Sequence, residues 1–145
     1  MNRIIWRKEL FLNILILGCG RVGAKLACAL SDNHTVTVVD WNPSSFERLG
    51  HGFHGTTVQG NGIDADILKL AGIRQTELFL ALTDGDNRNL VAAQIAQLLG
   101  VPRVLARVYD PERSRIFDGE GLTTVSPTIE GADRLYRMVL EGQEA

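Results

Sequence analysis

From Asn13 onward, short runs of aliphatic and β-branched residues alternate with amphipathic stretches. The apolar runs at 13–18, 35–40, 55–59, 77–82, 103–108 and 122–125 predict strands. Between them, apolar positions three and four apart predict helices over 21–32, 43–51, 63–72, 86–99 and 111–118. Thr35-Val36-Thr37-Val38-Val39 is β-branched throughout, as in a strand buried on both faces of a parallel sheet. Regular βα repetition predicts an α/β protein: a doubly wound, parallel, six-stranded sheet with right-handed crossovers. A last helix, from Thr128 to about Leu140, follows Pro127, with Ile129, Ala132, Leu135, Tyr136, Val139 and Leu140 at helical spacing. That stripe either packs back on its own sheet or meets a partner subunit. No Pro/Gly/Ser-rich tract divides the chain. It therefore reads as an apolar extension over 1–12, one domain over 13–127 and a C-terminal helix within 128–145.

The junction between the first strand and the first helix is the most informative segment. Gly18-Cys19-Gly20-Arg21-Val22-Gly23 is a G-x-G-x-x-G loop, and Asp40 closes the next strand seventeen positions past Gly23. Strand, glycine loop, helix and a carboxylate about 20 residues on form the Rossmann-like dinucleotide fingerprint. In it Gly18 permits a tight turn, Gly20 lets the backbone approach a pyrophosphate, and Gly23 lets the helix pack closely on the strand. The helix N-terminus supplies free N–H groups and a favourable dipole for phosphate. Asp40 suits a ribose diol and would repel a 2′-phosphate, and no Arg or Lys follows it within five residues to neutralise it, which favours NAD(H) over NADP(H). ATP, ADP and AMP carry the same diol and are not separated from NAD by this residue.

Composition narrows the partners. The 145 residues suffice for one core, and a formal net charge of −2 with scattered arginines gives no basis for nucleic-acid binding. Cys19 and Cys28 suggest neither a disulfide framework nor a metal site. Cys19, at a helix N-terminus, either has a lowered thiol pKa or simply fills a small position in the loop. No run is long enough to span a membrane, and Glu9 interrupts the apolar start without a cleavage site, so a cytoplasmic protein is expected. Ile4, Ile5, Trp6, Leu10, Phe11 and Leu12 must pack on this domain or on a neighbour.

Function in a doubly wound sheet collects at the carboxyl ends of the strands. There lie Asp40-Trp41, Gly60-Asn61-Gly62 and Thr83-Asp84-Gly85-Asp86-Asn87-Arg88-Asn89. Gly60 and Asn61 suit an adenine ring and its edge. Thr83, Asp84 and Asn89 suit phosphate or ribose, with Asp84 or Asp86 also suited to capping the helix 86–99. Arg107 ends the fifth strand, where it contacts phosphate or clamps a neighbouring loop. His34, His51 and His54 precede strands, away from this edge, and no catalytic pair accompanies them.

These residues carry a resemblance. The run from Ile14 to Thr128 resembles the nucleotide-binding domain of regulators of potassium conductance, the TrkA-N or RCK-N family. Gly18 to Gly23 is similar to its GxGRxG, Val38-Val39-Asp40 to its VVD strand end, and Leu68-Ala71-Gly72-Ile73 to its LxxAGI. Thr83, Asp86 and Asn89 fit T-x-x-D-x-x-N, and Ala106-Arg107-Val108 with Asp110-Pro111 fits A-R-V-x-D-P; Gly121 and Ser126-Pro127 resemble the domain's usual end. Asn61 stands where the family usually has Asp. The resemblance implies a regulator that binds NAD(H) or ATP/ADP/AMP through Gly18, Cys19, Gly20, Arg21, Val22, Gly23, Asp40, Trp41, Gly60, Asn61, Thr83, Asp84, Asn89 and Arg107. Arg21 is expected to read terminal phosphate charge, and Asp118 lies where some relatives place an acid near phosphates or a metal. It further implies a homo-oligomer, a dimer through the last helix or a larger ring, on the cytoplasmic side of a membrane potassium transporter or channel. The chain stops without the C-terminal ligand-binding domain of many members, so it either works with a separate protein supplying that part or is a fragment. The rival readings are part of a small NAD-dependent oxidoreductase and a Rossmann interaction module that binds no nucleotide.

Overall fold

The computed structural model describes residues 11–119 and 121–144. Six strands, β1 (Asn13–Leu17), β2 (Thr35–Asp40), β3 (Thr56–Gln59), β4 (Leu78–Ala81), β5 (Arg103–Arg107) and β6 (Leu122–Val125), form one sheet in the order β3-β2-β1-β4-β5-β6. All five strand pairings are parallel. The connecting helices are α1 (Arg21–Leu30), α2 (Ala65–Leu70), α3 (Asp86–Leu98) and α4 (Pro111–Phe117), and α5 (Pro127–Glu144) follows the last strand.

Side-chain alternation in β1 divides the core into two layers. Ile14 and Ile16 join Val36, Val38, Leu78 and Leu80 beneath Ala24 and Ala27 of α1. Leu15 and Leu17 join Val39, Phe79 and Ala81 beneath Leu68 of α2 and Ala92, Ala93 and Ala96 of α3. A central strand buried on both faces leaves no room for polar alternation, which is why β1 reads as a continuous apolar run.

The expected strands match the observed ones to within a residue at each end. The segment expected as a helix over 43–51 is instead a 3-10 segment, Pro43–Gly52, opened by Asn42, whose side chain accepts from the Ser44 N–H, and kinked at Gly50 (φ 64°). The positive φ of Gly50, which only glycine adopts at little cost, ends one short helical piece and starts the next.

The C-terminal helix does not pack back on its own sheet. Leu135 and Tyr136 are 64% and 65% exposed, and Met138, Val139 and Leu140 also face outward. Its base is tied down where the Ser126 hydroxyl bonds the Tyr109 carbonyl (3.2 Å) and accepts from the Ile129 N–H (3.4 Å). Of the apolar prefix, Ile4, Ile5, Trp6 and Leu10 lie outside the described residues. Leu12 packs on the α1 layer, and Phe11 is exposed beside His34.

Candidate functional site

In this strand order the connections from β1 and β4 leave in opposite directions, opening a crevice at the carboxyl edge of the sheet. A cleft of about 520 Å³ occupies it, lined by the glycine loop, the residues after β2, Gly60 to Gly62, and the segment after β4. Pockets for small ligands run from about 300 to 1,000 Å³.

Glycines shape its floor. Gly18 has φ 109°, and a Cβ there would meet the Leu82 carbonyl carbon at 2.8 Å. A Cβ on Gly23 would strike the Gly18 carbonyl oxygen, so the turn and the helix start can close only without side chains. Gly20 is different, since a Cβ there meets nothing within 4 Å. The protein leaves that space open beside the first turn of α1, where no side chain caps the helix. Its leading N–H groups are available to an anion.

Asp40 is held at the lip. Its Oδ2 accepts from the Cys19 N–H (2.7 Å) and its Oδ1 from the Asn42 N–H (2.9 Å). Each carboxylate oxygen keeps a further lone pair for a ribose hydroxyl. The Cys19 side chain is buried, so this residue offers the cleft only backbone. Its thiol pKa is pushed up from 9.0 to about 11, by burial first and by the Asp40 carboxylate second. The lowering that a helix N-terminus would give is outweighed.

The wall after β4 is knitted together internally. Asn89, fully buried, accepts from the Thr83 N–H (2.9 Å) and hydroxyl (2.6 Å) and donates to the carbonyls of Thr83 (2.9 Å) and Arg107 (2.8 Å). The Arg107 guanidinium donates to the Leu82 (2.7 Å) and Thr83 (2.8 Å) carbonyls and lies 5.1 Å from the centre of the Tyr109 ring. Thr83 and Arg107 line the cleft while bracing it; Asn89 sits behind the wall and braces only. Neither acid caps α3, whose N-cap is Gly85 with no side-chain bond. Asp86 instead accepts from the Tyr109 (2.8 Å) and Asp110 (3.1 Å) N–H groups, and Asp84, 91% exposed, faces Arg88 at 3.5 Å.

Of the remaining expected residues, Trp41, Gly60 and Asn61 line the cleft, with the Asn61 Oδ1 accepting from the Ile63 N–H (3.1 Å). Arg21 and Val22 are exposed at the start of α1 and do not line it. Asp118 accepts from the Thr124 N–H (2.8 Å) beside β6, away from the cleft. Among the described residues no group of three His, Cys, Asp or Glu side chains could hold a metal.

Sequence reasoning missed Asn42, Ser45 and Arg48, which all line the cleft. Residues three apart eclipse in a 3-10 helix, so Ser45 and Arg48 share one side of it, facing the cleft, with Asn42 capping its start. An α-helix would have fanned them apart. The Arg48 guanidinium reaches the Cys19 carbonyl (3.2 Å), beside the residue whose N–H holds Asp40. No cation follows Asp40 within five residues, but the fold brings Arg48, eight positions on, to the neighbouring Cys19 carbonyl.

A glycine-floored crevice at the switch point, with a fixed carboxylate at the lip beyond β2, defines a Rossmann-type domain built to hold a nucleotide. Its family is narrower than that: the chain belongs to the TrkA-N domain family, whose sequence model matches residues 14–127. It is 45% identical over 131 residues to the Trk system potassium uptake protein TrkA of Streptomyces coelicolor, covering 89% of this chain. The match takes in 59% of that relative's length. Among solved structures, the AMP-bound C-terminal domain of Kef from Shewanella denitrificans superposes with a TM-score of 0.70 (21% identity, 90% of this chain, 82% of that one). The GsuK channel bound to NAD superposes with a TM-score of 0.66 (24% identity, 81% of this chain, 22% of that one). At these identities the two structures establish the fold alone.

Proposed function

We propose that this chain is the nucleotide-sensing part of a potassium transport regulator. It binds an adenine nucleotide, NAD(H) or ATP/ADP/AMP, in the cleft and passes that occupancy to a membrane potassium transporter or channel. The observation that carries the reading is the pairing, in one crevice, of the open space beside Gly20 with the Asp40 carboxylate. Phosphate suits the first and a ribose diol the second. Support for the transport role comes from the relative in S. coelicolor, named a potassium uptake protein. The folds that superpose here hold NAD or AMP.

Sensing is favoured over turnover because none of His34, His51 and His54 lines the cleft, and the polar wall after β4 is spent on its own hydrogen bonds. A ligand then acts by its differential affinity for two conformations. No helix among the described residues is long and apolar enough to cross a membrane, so the reading assigns the pore to another protein or another part of the protein.

Thermal unfolding against NAD⁺, NADH, ATP, ADP and AMP tests the proposal. A ligand at 100 times its dissociation constant stabilises by about 2.7 kcal/mol. At least one should raise the midpoint, and Asp40→Ala should abolish most of that rise. If no adenine nucleotide moves the midpoint, the domain is an interaction module and the sensing role falls.

A further inference from the structure

Three arginines line the cleft: Arg48, Arg88 and Arg107. Arg107 is committed to two backbone carbonyls and Arg88 faces Asp84. Arg48 makes a single hydrogen bond, to the neutral Cys19 carbonyl at 3.2 Å, and has no carboxylate partner among the described residues. It is exposed, one 3-10 turn past Ser45, which also lines the cleft. A guanidinium carries five N–H donors, so most of this one's capacity is unused.

Its position is set by one peptide neighbourhood. The Cys19 N–H is held by Asp40 and the Cys19 C=O by Arg48, so the anion and the cation flank a single residue of the glycine loop. The influence of both reaches the Cys19 thiol, which Asp40 pushes up and Arg48 pulls down. Asp40 faces the ribose hydroxyls in the reading given above, on which this inference rests. Alone, its charge would repel a phosphate monoester on those hydroxyls. An opposite charge on the same residue of the glycine loop offsets that repulsion. A phosphate oxygen is also a stronger acceptor than a carbonyl, so the guanidinium gains by exchanging one for the other.

We propose that Arg48 is a specificity-determining residue that opens the ribose end of the cleft to 2′-phosphorylated adenine nucleotides, with NADPH as the dinucleotide probe. Asp40 serves the free diol, and Arg48 serves the phosphate. A sensor so equipped responds to both nicotinamide dinucleotide pools.

The test measures NADH and NADPH dissociation constants for the wild-type chain, Arg48→Ala and Arg48→Lys, by nucleotide fluorescence, with 5′-AMP and 2′-AMP as competitors. Arg48→Ala should weaken NADPH roughly 10- to 100-fold and NADH by less than about threefold, with Arg48→Lys between. The competitors should follow suit, 2′-AMP losing affinity and 5′-AMP keeping it. NADH binding reports in the same assay that the variant cleft is intact. If Arg48→Ala moves the NADPH-to-NADH ratio by less than about fivefold, or the wild type binds NADH and not NADPH, the inference is overturned while the nucleotide site stands. If neither dinucleotide binds the wild type the inference is overturned, and if ATP, ADP and both AMPs fail as well the site itself is refuted.

Discussion

Asn89 shapes the cleft without lining it. Its amide and carbonyl satisfy groups on Thr83 and Arg107, so truncation leaves the Thr83 N–H and the Arg107 carbonyl short of partners, while the Thr83 carbonyl keeps the Arg107 guanidinium. Each buried group left unpaired costs about 1–3 kcal/mol. Asn89→Ala should therefore lower the unfolding free energy by about 2–4 kcal/mol in a denaturant titration. The buried Cys19 thiol makes stability depend on pH. Because its thiol titrates near 11 in the fold and near 9.0 when free, the folded state holds a proton that the unfolded chain has lost between those values. Stability contributed by the neutral thiol is intact below pH 9.0 and declines as pH rises toward 11. The unfolding midpoint of the wild type should thus fall more between pH 8 and pH 10 than that of Cys19→Ala. Parallel profiles would refute this. The sequence singled out both positions, yet their partners lie across β4 and β5 or on the lip after β2, contacts that spacing along the chain does not encode.

The loop joining β1 to α1 separates two uses of glycine. Gly23→Ala places a methyl against the Gly18 carbonyl and should destabilise the fold by about 1–3 kcal/mol. Gly20→Ala meets no protein atom, and Gly20 has an ordinary φ of −84°, so the fold should tolerate it. Its methyl would occupy the space assigned to phosphate, so nucleotide affinity should drop at least tenfold while the melting temperature of the free protein stays close to wild type. The reverse pattern would mean that the open space is not the ligand's. The 3-10 segment after β2 makes the complementary point. Its existence as a helical element was legible from Pro43 and the apolar spacing, but its three-residue period was not. That period is what lines up Ser45 and Arg48.

For the whole molecule, the outstanding feature is α5. It carries an apolar stripe on which Leu135, Tyr136 and Val139 are all more than half exposed, more apolar surface than a lone helix usually leaves to water. We expect a second copy to cover it, giving a dimer in solution by light scattering. Leu135→Glu combined with Val139→Glu should shift the mass to the monomer while leaving the nucleotide-dependent thermal shift of each domain in place. A wild-type chain that stays monomeric at tens of micromolar would remove the dimer and leave the stripe to a different partner.

The alternation of strands and helices, the parallel sheet, the glycine loop and the position of Asp40 are all written locally along the chain. These features depend on local periodicity, on backbone freedom at single glycines and on fixed spacing within one βα unit. Tertiary structure alone decided which polar side chains face the ligand and which brace the wall: Arg48 comes to Asp40's corner, Asn89 goes behind Thr83, and Arg107 turns onto the β4 carbonyls. Each of those choices is made by hydrogen bonds between residues distant in sequence, or by the pitch of a short helix. Their geometry exists only once the sheet has closed.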